Sequence, residues 1–231
     1  MDEHRSVREN LKNMTGKERF RYFLDYYLVR TLVILAALLF AFYIGWHFTH
    51  LPAERVLHVF VMSDLFGEEE KTSAVRDLAK LLSVSEDQIL LDDGHDTGSD
   101  GNMQVSALLA DERLDLIICP RDEFVRLAGE GTFADLAGLD GGIPEQWEGA
   151  VVRAVGYEEQ DLSYSEDPFH EAGNGAGAER PYGVVISQGT VYRGMSLTKG
   201  EMLCGIVANS RHSQNAGAAV RYLMGESPKE D

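Results

Sequence analysis

The chain has 231 residues, 44% of them apolar, and a formal net charge of -17 at pH 7. This length and apolar content suit one domain with a buried core plus an appendage, and they exclude disorder over the whole chain. The acidic excess lies after residue 50: residues 1–50 hold seven Lys or Arg and five Asp or Glu, whereas residues 51–231 hold fourteen and thirty-three. Such a surface repels phosphate backbones, so we expect no nucleic-acid partner and favour basic partners or cations. The simpler alternative is that the acids only keep the domain soluble.

An uncharged stretch predicts a membrane span near the N-terminus. No Asp, Glu, Lys or Arg occurs from Thr31 to Ala53, and the part up to Trp46 is almost wholly apolar. A hydrocarbon core about 30 Å thick needs about 20 helical residues, so we predict a transmembrane helix over residues 31–50. Aromatic residues, which favour the headgroup layers, flank it: Phe20, Phe23, Tyr26 and Tyr27 before, Tyr43, Trp46 and Phe48 after. Cleavage as a signal peptide is disfavoured, because the cleavage site needs small residues and Trp46, His47 and Phe48 are bulky.

The basic residues predict the orientation of this signal-anchor. Seven precede the span and one follows it closely: Arg5, Arg8, Lys12, Lys17, Arg19, Arg21 and Arg30, and then Arg55. Cytoplasmic flanks carry the excess of Lys and Arg, so we expect residues 1–30 to be a basic juxtamembrane segment in the cytoplasm. Residues from 51 onward are then extracytoplasmic. The cell membrane bilayer is therefore the first expected partner of this single-pass chain.

After the span, strand patterns alternate with helix patterns. The buried-strand patterns cover residues 55–63, 87–93 and 114–119, and the amphipathic-helix patterns cover residues 67–82, 102–113 and 121–131. Alternation of this kind is typical of a sheet whose strands are joined by right-handed crossovers. We therefore predict an α/β domain over residues 51–226, with a mostly parallel sheet and covering helices.

The second part of this domain is less regular. Residues 158–180 are polar, acidic and rich in Gly, which predicts a flexible insertion. Strand patterns return at "YGVVIS" (182–187) and "MLCGIVANS" (202–210), and a last helix is predicted from about Ser213. Residues 227–231 are predicted to be a fraying tail.

Three of these stretches carry a likeness to a known family. They are "LDLIICPRDEFVRLAGEGTFADLAGL" (114–139), "RPYGVVIS" (180–187) and "MLCGIVANSRHSQNAGAAVRYLMG" (202–225). Together they resemble one lobe of the bacterial extracellular solute-binding proteins that serve ABC importers, of the periplasmic-binding-protein-like type 2. The resemblance covers about half of the outer domain and rests on structural rather than catalytic motifs. It implies one returning strand that runs antiparallel beside the third strand.

The chain also departs from that family. Solute-binding proteins have two lobes, and the second occupies much of the chain between the last two of these stretches. Here only "QGTVYRGMSLTKGE" (188–201) stands there, which is too short for a domain. We therefore expect a truncated, membrane-anchored, non-catalytic module that binds another membrane or cell-surface protein. Two alternatives stay open: capture of a small-molecule ligand between lobes of neighbouring chains, and an extracytoplasmic hydrolase.

The ends of the predicted parallel strands are the candidate ligand site, because open α/β sheets bind ligands beside the carboxyl ends of their strands. Together with Pro120, the candidates are Ser63, Asp64, Asp92, Asp93, Arg121 and Asp122. For most of them the alternative is a role in turns or helix capping. Asp122, for example, complements the dipole of the helix that it begins without needing a ligand.

The two cysteines, Cys119 and Cys204, both fall in the outer domain, where disulfides can persist. In the resembled fold they would lie on neighbouring strands, which implies that the two side chains can face each other. A disulfide and a pair of small buried thiols are both open.

The sequence predicts no metal, cofactor or catalytic centre. The acidic loop at residues 91–101 lacks the ligand spacing of a calcium loop, and His95 and His170 have no partner at a metal-ligand spacing. We recognise no nucleophile motif and no phosphate-binding glycine loop. We therefore expect no enzymatic activity.

Overall fold

The computed structural model describes residues 15–49, 54–138, 142–157 and 177–226. The chain divides into two compact units, residues 1–52 and residues 53–231. The predicted tail (227–231), His50 of the predicted span, His170 and most of the predicted insertion lie outside the described residues.

The first unit contains one long helix, α1 (Gly16–Thr49), of 34 residues. Its most apolar part runs from Arg30 to His47, has a mean hydropathy of 1.6, and contains no residue buried against the rest of the chain. Large apolar side chains such as Leu39 and Phe42 are more than half exposed. Helix α1 is therefore long and apolar enough to cross a membrane, as the sequence predicts.

The second unit is an α/β domain with one six-stranded sheet. The strands are β1 (Leu57–Met62), β2 (Ile89–His95), β3 (Leu116–Cys119), β4 (Val151–Val155), β5 (Glu179–Val184) and β6 (Leu203–Ile206). The described helices are α2 (Glu68–Leu82), α3 (Ser99–Ala110), α4 (Arg121–Gly129), α5 (Thr190–Met195) and α6 (Ser213–Met224).

The sheet is mixed, which corrects the prediction of a mostly parallel sheet with one antiparallel strand. The strand order is β2-β1-β3-β6-β5-β4. Strands β1, β2 and β3 are parallel, whereas the pairs β3/β6, β6/β5 and β5/β4 are all antiparallel. Two strands, β6 and β4, therefore run opposite to β1. The prediction failed because it did not recognise β4 and so could not place it beside β5.

Helices cover both faces of the sheet. On one face, Leu78 of α2, Tyr192 of α5 and Leu223 of α6 belong to one buried apolar cluster. On the other face, Val105 of α3 and Leu127 of α4 belong to a second cluster. All six residues of β1 are buried, because this strand lies inside the sheet and is covered on both sides.

Candidate functional site

The carboxyl ends of β1, β2 and β3 meet at one edge of the sheet, here called the strand-end edge, because these strands are parallel. Ser63 follows β1 in a left-handed conformation with φ of 59°. Its amide donates to the carbonyl of His95 at the end of β2 (2.6 Å), and the amide of Gly94 donates to the carbonyl of Asp64 (2.9 Å). These hydrogen bonds join the loop after β1 to the end of β2.

The carboxylate of Asp64 is buried at this edge and accepts five hydrogen bonds. Its Oδ1 accepts from the amide of Leu65 (2.7 Å) and from the amide and hydroxyl of Thr198 (3.2 and 2.6 Å). Its Oδ2 accepts from the hydroxyls of Tyr192 and Ser196, each at 2.6 Å. Asp64, Tyr192, Ser196 and Thr198 thus form a carboxylate clamp that fixes the loop after β1 against the segment that follows α5.

The clamp keeps Asp64 charged. Burial by itself raises the pKa of Asp64, but the hydrogen bonds from Ser196, Thr198 and Tyr192 together outweigh it, so the pKa lies below the ordinary value of 3.8. Burial and the Asp64 contact raise the pKa of Tyr192 above its ordinary range. Internal donors occupy both carboxylate oxygens, so this geometry fits the structural alternative for Asp64 rather than direct ligand binding.

Asp93 also joins elements within the domain. Its Oδ2 accepts a hydrogen bond from the amide of Phe66 (2.7 Å), and its Oδ1 forms an ion pair with Lys71 of α2. The side chain of Asp93 is only 9% exposed. It therefore links the end of β2 to the loop after β1 and to the first turns of α2.

Asp92, in contrast, lies between two imidazoles, and we call His58, Asp92 and His95 the histidine cluster. The Nε2 atom of His58 is 3.5 Å from Asp92 Oδ2, and that of His95 is 3.0 Å from Oδ1. Both Nε2 atoms are buried, and neither has a hydrogen-bond partner among the residues that the structure describes. The ring of His95 stacks on Phe60 with 4.1 Å between the ring centroids.

His58 is neutral at pH 7. Burial lowers its pKa below the ordinary value of 6.5, although the carbonyl of Arg113 and the charge of Asp92 favour protonation. Its Nδ1 lies 2.9 Å from that carbonyl, which can accept only from a protonated nitrogen. The Nε2 atom therefore presents a lone pair towards Asp92.

Arg121 and Asp122 follow β3 at the same edge. Arg121 Nε lies 2.8 Å from Oε1 of Glu201, and both side chains are about half exposed. Asp122 is an exposed residue of the first turn of α4, where its charge complements the helix dipole. Glu201 in turn lines a pocket of about 420 Å³. The other residues that line it are Val185, Ser187, Gln188, Tyr192, Arg193, Ser196, Lys199 and Gly200.

Two exposed leucines lie on neighbouring backbone segments that the carboxylate clamp holds. The amide of Leu197 donates to the carbonyl of Leu65 (2.9 Å), and the two side chains are 63% and 52% exposed. Asp64 accepts from the amide of Leu65 itself and from the amide of Thr198, the residue after Leu197. The clamp therefore holds both leucines on a fixed backbone.

The two cysteines are not bonded, which corrects the disulfide alternative. Strands β3 and β6 are antiparallel neighbours, but the register pairs Cys119 with Leu203 and Cys204 with Ile118. Because side chains alternate between the faces of a sheet, this offset of one residue places the two thiols on opposite faces. Burial raises the pKa of Cys204 to about 12 and raises that of Cys119 further.

One nucleophile motif does occur, contrary to the prediction: Ser196 and Lys199 stand at S-x-x-K spacing. However, the Ser196 hydroxyl donates to Asp64, and its oxygen accepts from the backbone amide of Lys199 (3.2 Å). A buried carboxylate with a lowered pKa is a weak base, so this geometry does not activate the hydroxyl.

Two further arrangements bear on chemistry. Ser210, Asp115 and His212 lie together, but the Ser210 hydroxyl donates to Asp115 rather than to an imidazole (2.6 Å). This is not the geometry of a nucleophile and its base. Within the described ranges, no three His, Cys, Asp or Glu side chains are placed to hold a metal ion.

No family model, curated protein or solved structure matches this chain. The candidate site is therefore inferred from the geometry of this chain's own residues.

The sequence did not reveal the partners of the predicted acids. Tyr192, Ser196 and Thr198 lie in the stretch 188–201, which is too short for a domain and has no strand or helix pattern. His58 lies inside a strand pattern whose other members are apolar, and this isolated polar residue was the one available signal.

Proposed function

We propose that this chain is a non-catalytic binding module, anchored in the cell membrane by α1, whose strand-end edge binds another membrane or cell-surface protein. The proposal includes the orientation with residues 1–30 in the cytoplasm. It also includes the likeness to a single solute-binding-protein lobe, which the antiparallel pairing of β6 with β3 supports.

The pair of exposed leucines, Leu65 and Leu197, is the observation that carries this proposal. Two large apolar side chains that face solvent on a fixed backbone offer a partner an apolar surface whose backbone needs no further ordering, which lowers the entropic cost of binding. The carboxylate clamp provides this fixed backbone through the Leu65 and Thr198 amides.

The charges around the leucines favour a basic partner segment. Three exposed acids, Glu68, Glu69 and Glu70, begin α2 only three residues after Leu65. The outer domain as a whole has many more acidic than basic residues. We therefore expect the partner to present apolar side chains flanked by Lys or Arg.

Crosslinking in intact cells tests this proposal. Lys199 is exposed and lies two residues from Leu197, so a lysine-reactive crosslinker should join it to one membrane or cell-surface protein. The double substitution Leu65→Ser and Leu197→Ser should reduce this product at least about fivefold, because it removes both apolar anchors. Higher salt should weaken it, because charges are screened.

Met103→Ser is the matched control, since Met103 is 69% exposed but lies on α3. It should leave the crosslinked product unchanged. The proposal is wrong if Lys199 acquires no partner in cells, or if the control substitution and the leucine substitutions reduce the product equally.

A further inference from the structure

We propose that the pocket beside residues 196–201 binds a small solute that carries a carboxylate or phosphate group. The pocket has a volume of about 420 Å³, which is within the range of small-molecule sites. Two cationic side chains, Arg193 and Lys199, line it together with Ser187, Gln188 and Glu201. This binding function is separate from the protein docking proposed above and does not depend on it.

The lining of the pocket contains two cationic side chains and one acidic side chain, although the chain as a whole is strongly acidic. Glu201 is the acid among its described lining residues, and its carboxylate is already paired with Arg121 (2.8 Å). Arg193 and Lys199 make no ion pair with residues in the described parts of the chain. Two unpaired cations around one concavity raise the local concentration of anions.

The hydrogen-bonding groups of the pocket divide into occupied and available donors. The hydroxyls of Tyr192 and Ser196 both donate to Asp64 and are therefore occupied. Ser187 is different, because its Oγ accepts from the amide of Met202 (3.1 Å) and its hydroxyl hydrogen remains available. An anionic group between the two cations can thus accept a further hydrogen bond from Ser187.

The clamp also fixes the backbone that carries one of the two cations. The backbone amide of Lys199 donates to Ser196 Oγ (3.2 Å), and Ser196 is held by Asp64 (2.6 Å). Lys199 itself adopts a left-handed conformation with φ of 54°. Its backbone is therefore set before a ligand arrives, which lowers the entropic cost of binding.

Calorimetric titration of the complete chain in detergent tests the proposal, with inorganic phosphate and succinate as probes at constant ionic strength. At least one probe should bind with a Kd below about 1 mM. The double substitution Arg193→Gln and Lys199→Gln should weaken that binding at least about tenfold, because it removes both charge-assisted contacts. The charge-preserving pair Arg193→Lys and Lys199→Arg should retain most of it.

Arg153→Gln is the matched control, because Arg153 is exposed on β4 and its substitution removes the same kind of charge. It should leave the affinity within about twofold, since Arg153 does not line the pocket and exposed charges are screened. The anion site is excluded if neither probe binds, if the double variant binds as tightly as the unsubstituted chain, or if Arg153→Gln weakens binding equally. Because both cations are exposed, the double variant should keep the thermal midpoint of the ligand-free protein, which verifies that it folds.

Discussion

Two buried polar groups, one in the loop after β1 and one between β1 and β2, are built in opposite ways. In the carboxylate clamp, Asp64 accepts five hydrogen bonds, so its two oxygens are fully used. In the histidine cluster, the buried Nε2 atoms of His58 and His95 form no hydrogen bond although Asp92 lies beside both. The clamp joins donors to an acceptor, whereas in the cluster the Asp92 carboxylate faces a His58 nitrogen that carries a lone pair.

This difference shows that burial of a polar group can either raise or lower the free energy of unfolding. The clamp offsets the desolvation of its carboxylate with internal donors, and we expect it to hold the strand-end edge rigid. The histidine cluster leaves part of its desolvation cost uncompensated, so we expect it to contribute little to stability, and we expect His58 to respond to protons. Four measurements can break or sharpen this contrast.

The largest effect is expected for Asp64→Ala. The substitution leaves the hydroxyls of Tyr192 and Ser196 buried without an acceptor, which should lower the free energy of unfolding by about 3–5 kcal/mol. Urea unfolding of the complete chain, followed by circular dichroism, measures the change. Asp122→Ala is the matched control, because this exposed carboxylate should contribute less than about 0.5 kcal/mol. Equal losses for the two variants would mean that the clamp does not stabilise the domain.

Tyr192→Phe should have the second-largest effect. It removes one hydrogen bond to a charged acceptor while keeping the buried ring, so we expect a loss of about 1.5–2 kcal/mol in the same unfolding assay. Tyr222→Phe is the control, because the Tyr222 hydroxyl makes only a long 3.4 Å contact with Asp77. A loss for Tyr222→Phe as large as that for Tyr192→Phe would contradict the assigned strength of the clamp.

The third prediction is a two-step loss of stability on acidification. The pKa of His58 is lowered in the folded state, so below about pH 6.5 the unfolded chain binds more protons and stability falls by at most about 1.4 kcal/mol per pH unit. The pKa of Asp64 is also lowered, so its contribution is lost as the pH falls below about 3.8. Denaturant unfolding measured from pH 8 to pH 3 would reveal both windows.

His58→Gln separates these windows, because Gln does not titrate in this range. In this variant the loss of stability below about pH 6.5 should disappear, whereas the loss below about pH 3.8, which depends on Asp64, should remain. The charged and titratable groups that face His58 are Asp92, His95, Asp115 and Arg55. If the upper window persists unchanged in His58→Gln, then one of these other groups is responsible for it.

The smallest effect is expected for His95→Phe. The substitution removes a buried nitrogen that has no hydrogen bond and keeps an aromatic ring stacked on Phe60. We therefore expect a change within about 0.5 kcal/mol in the free energy of unfolding at pH 7. A loss comparable with that of Tyr192→Phe would show that the two buried groups are not opposites after all.

Periodicity predicted the first half of the domain well. Buried strands and amphipathic helices up to residue 131 have strong patterns. Two elements are displaced: α3 begins at Ser99 rather than near residue 102, and β2 covers Ile89–His95 rather than 87–93. The second half failed for physical reasons. β4 is a five-residue strand next to a Gly-rich stretch, and α5 has only six residues, so neither contains enough periods to stand out.

The candidate site was predicted only in part. The rule that ligands bind at strand ends selected residues that the structure brings to one edge, because that rule depends on chain direction alone. It could not identify Tyr192, Ser196 and Thr198, which reach Asp64 from more than 120 residues away. It could not identify the contact between the side chains of Asp92 and His58 either, since that contact depends on the parallel register of β1 and β2.

Because the one-residue offset keeps the thiols of Cys119 and Cys204 apart, we expect the domain to fold independently of the redox conditions. A sheet that keeps its thiols on opposite faces needs neither an oxidase nor a disulfide isomerase to mature. Reductants should leave its stability unchanged, and the domain should reach the same native state in reducing and oxidising surroundings.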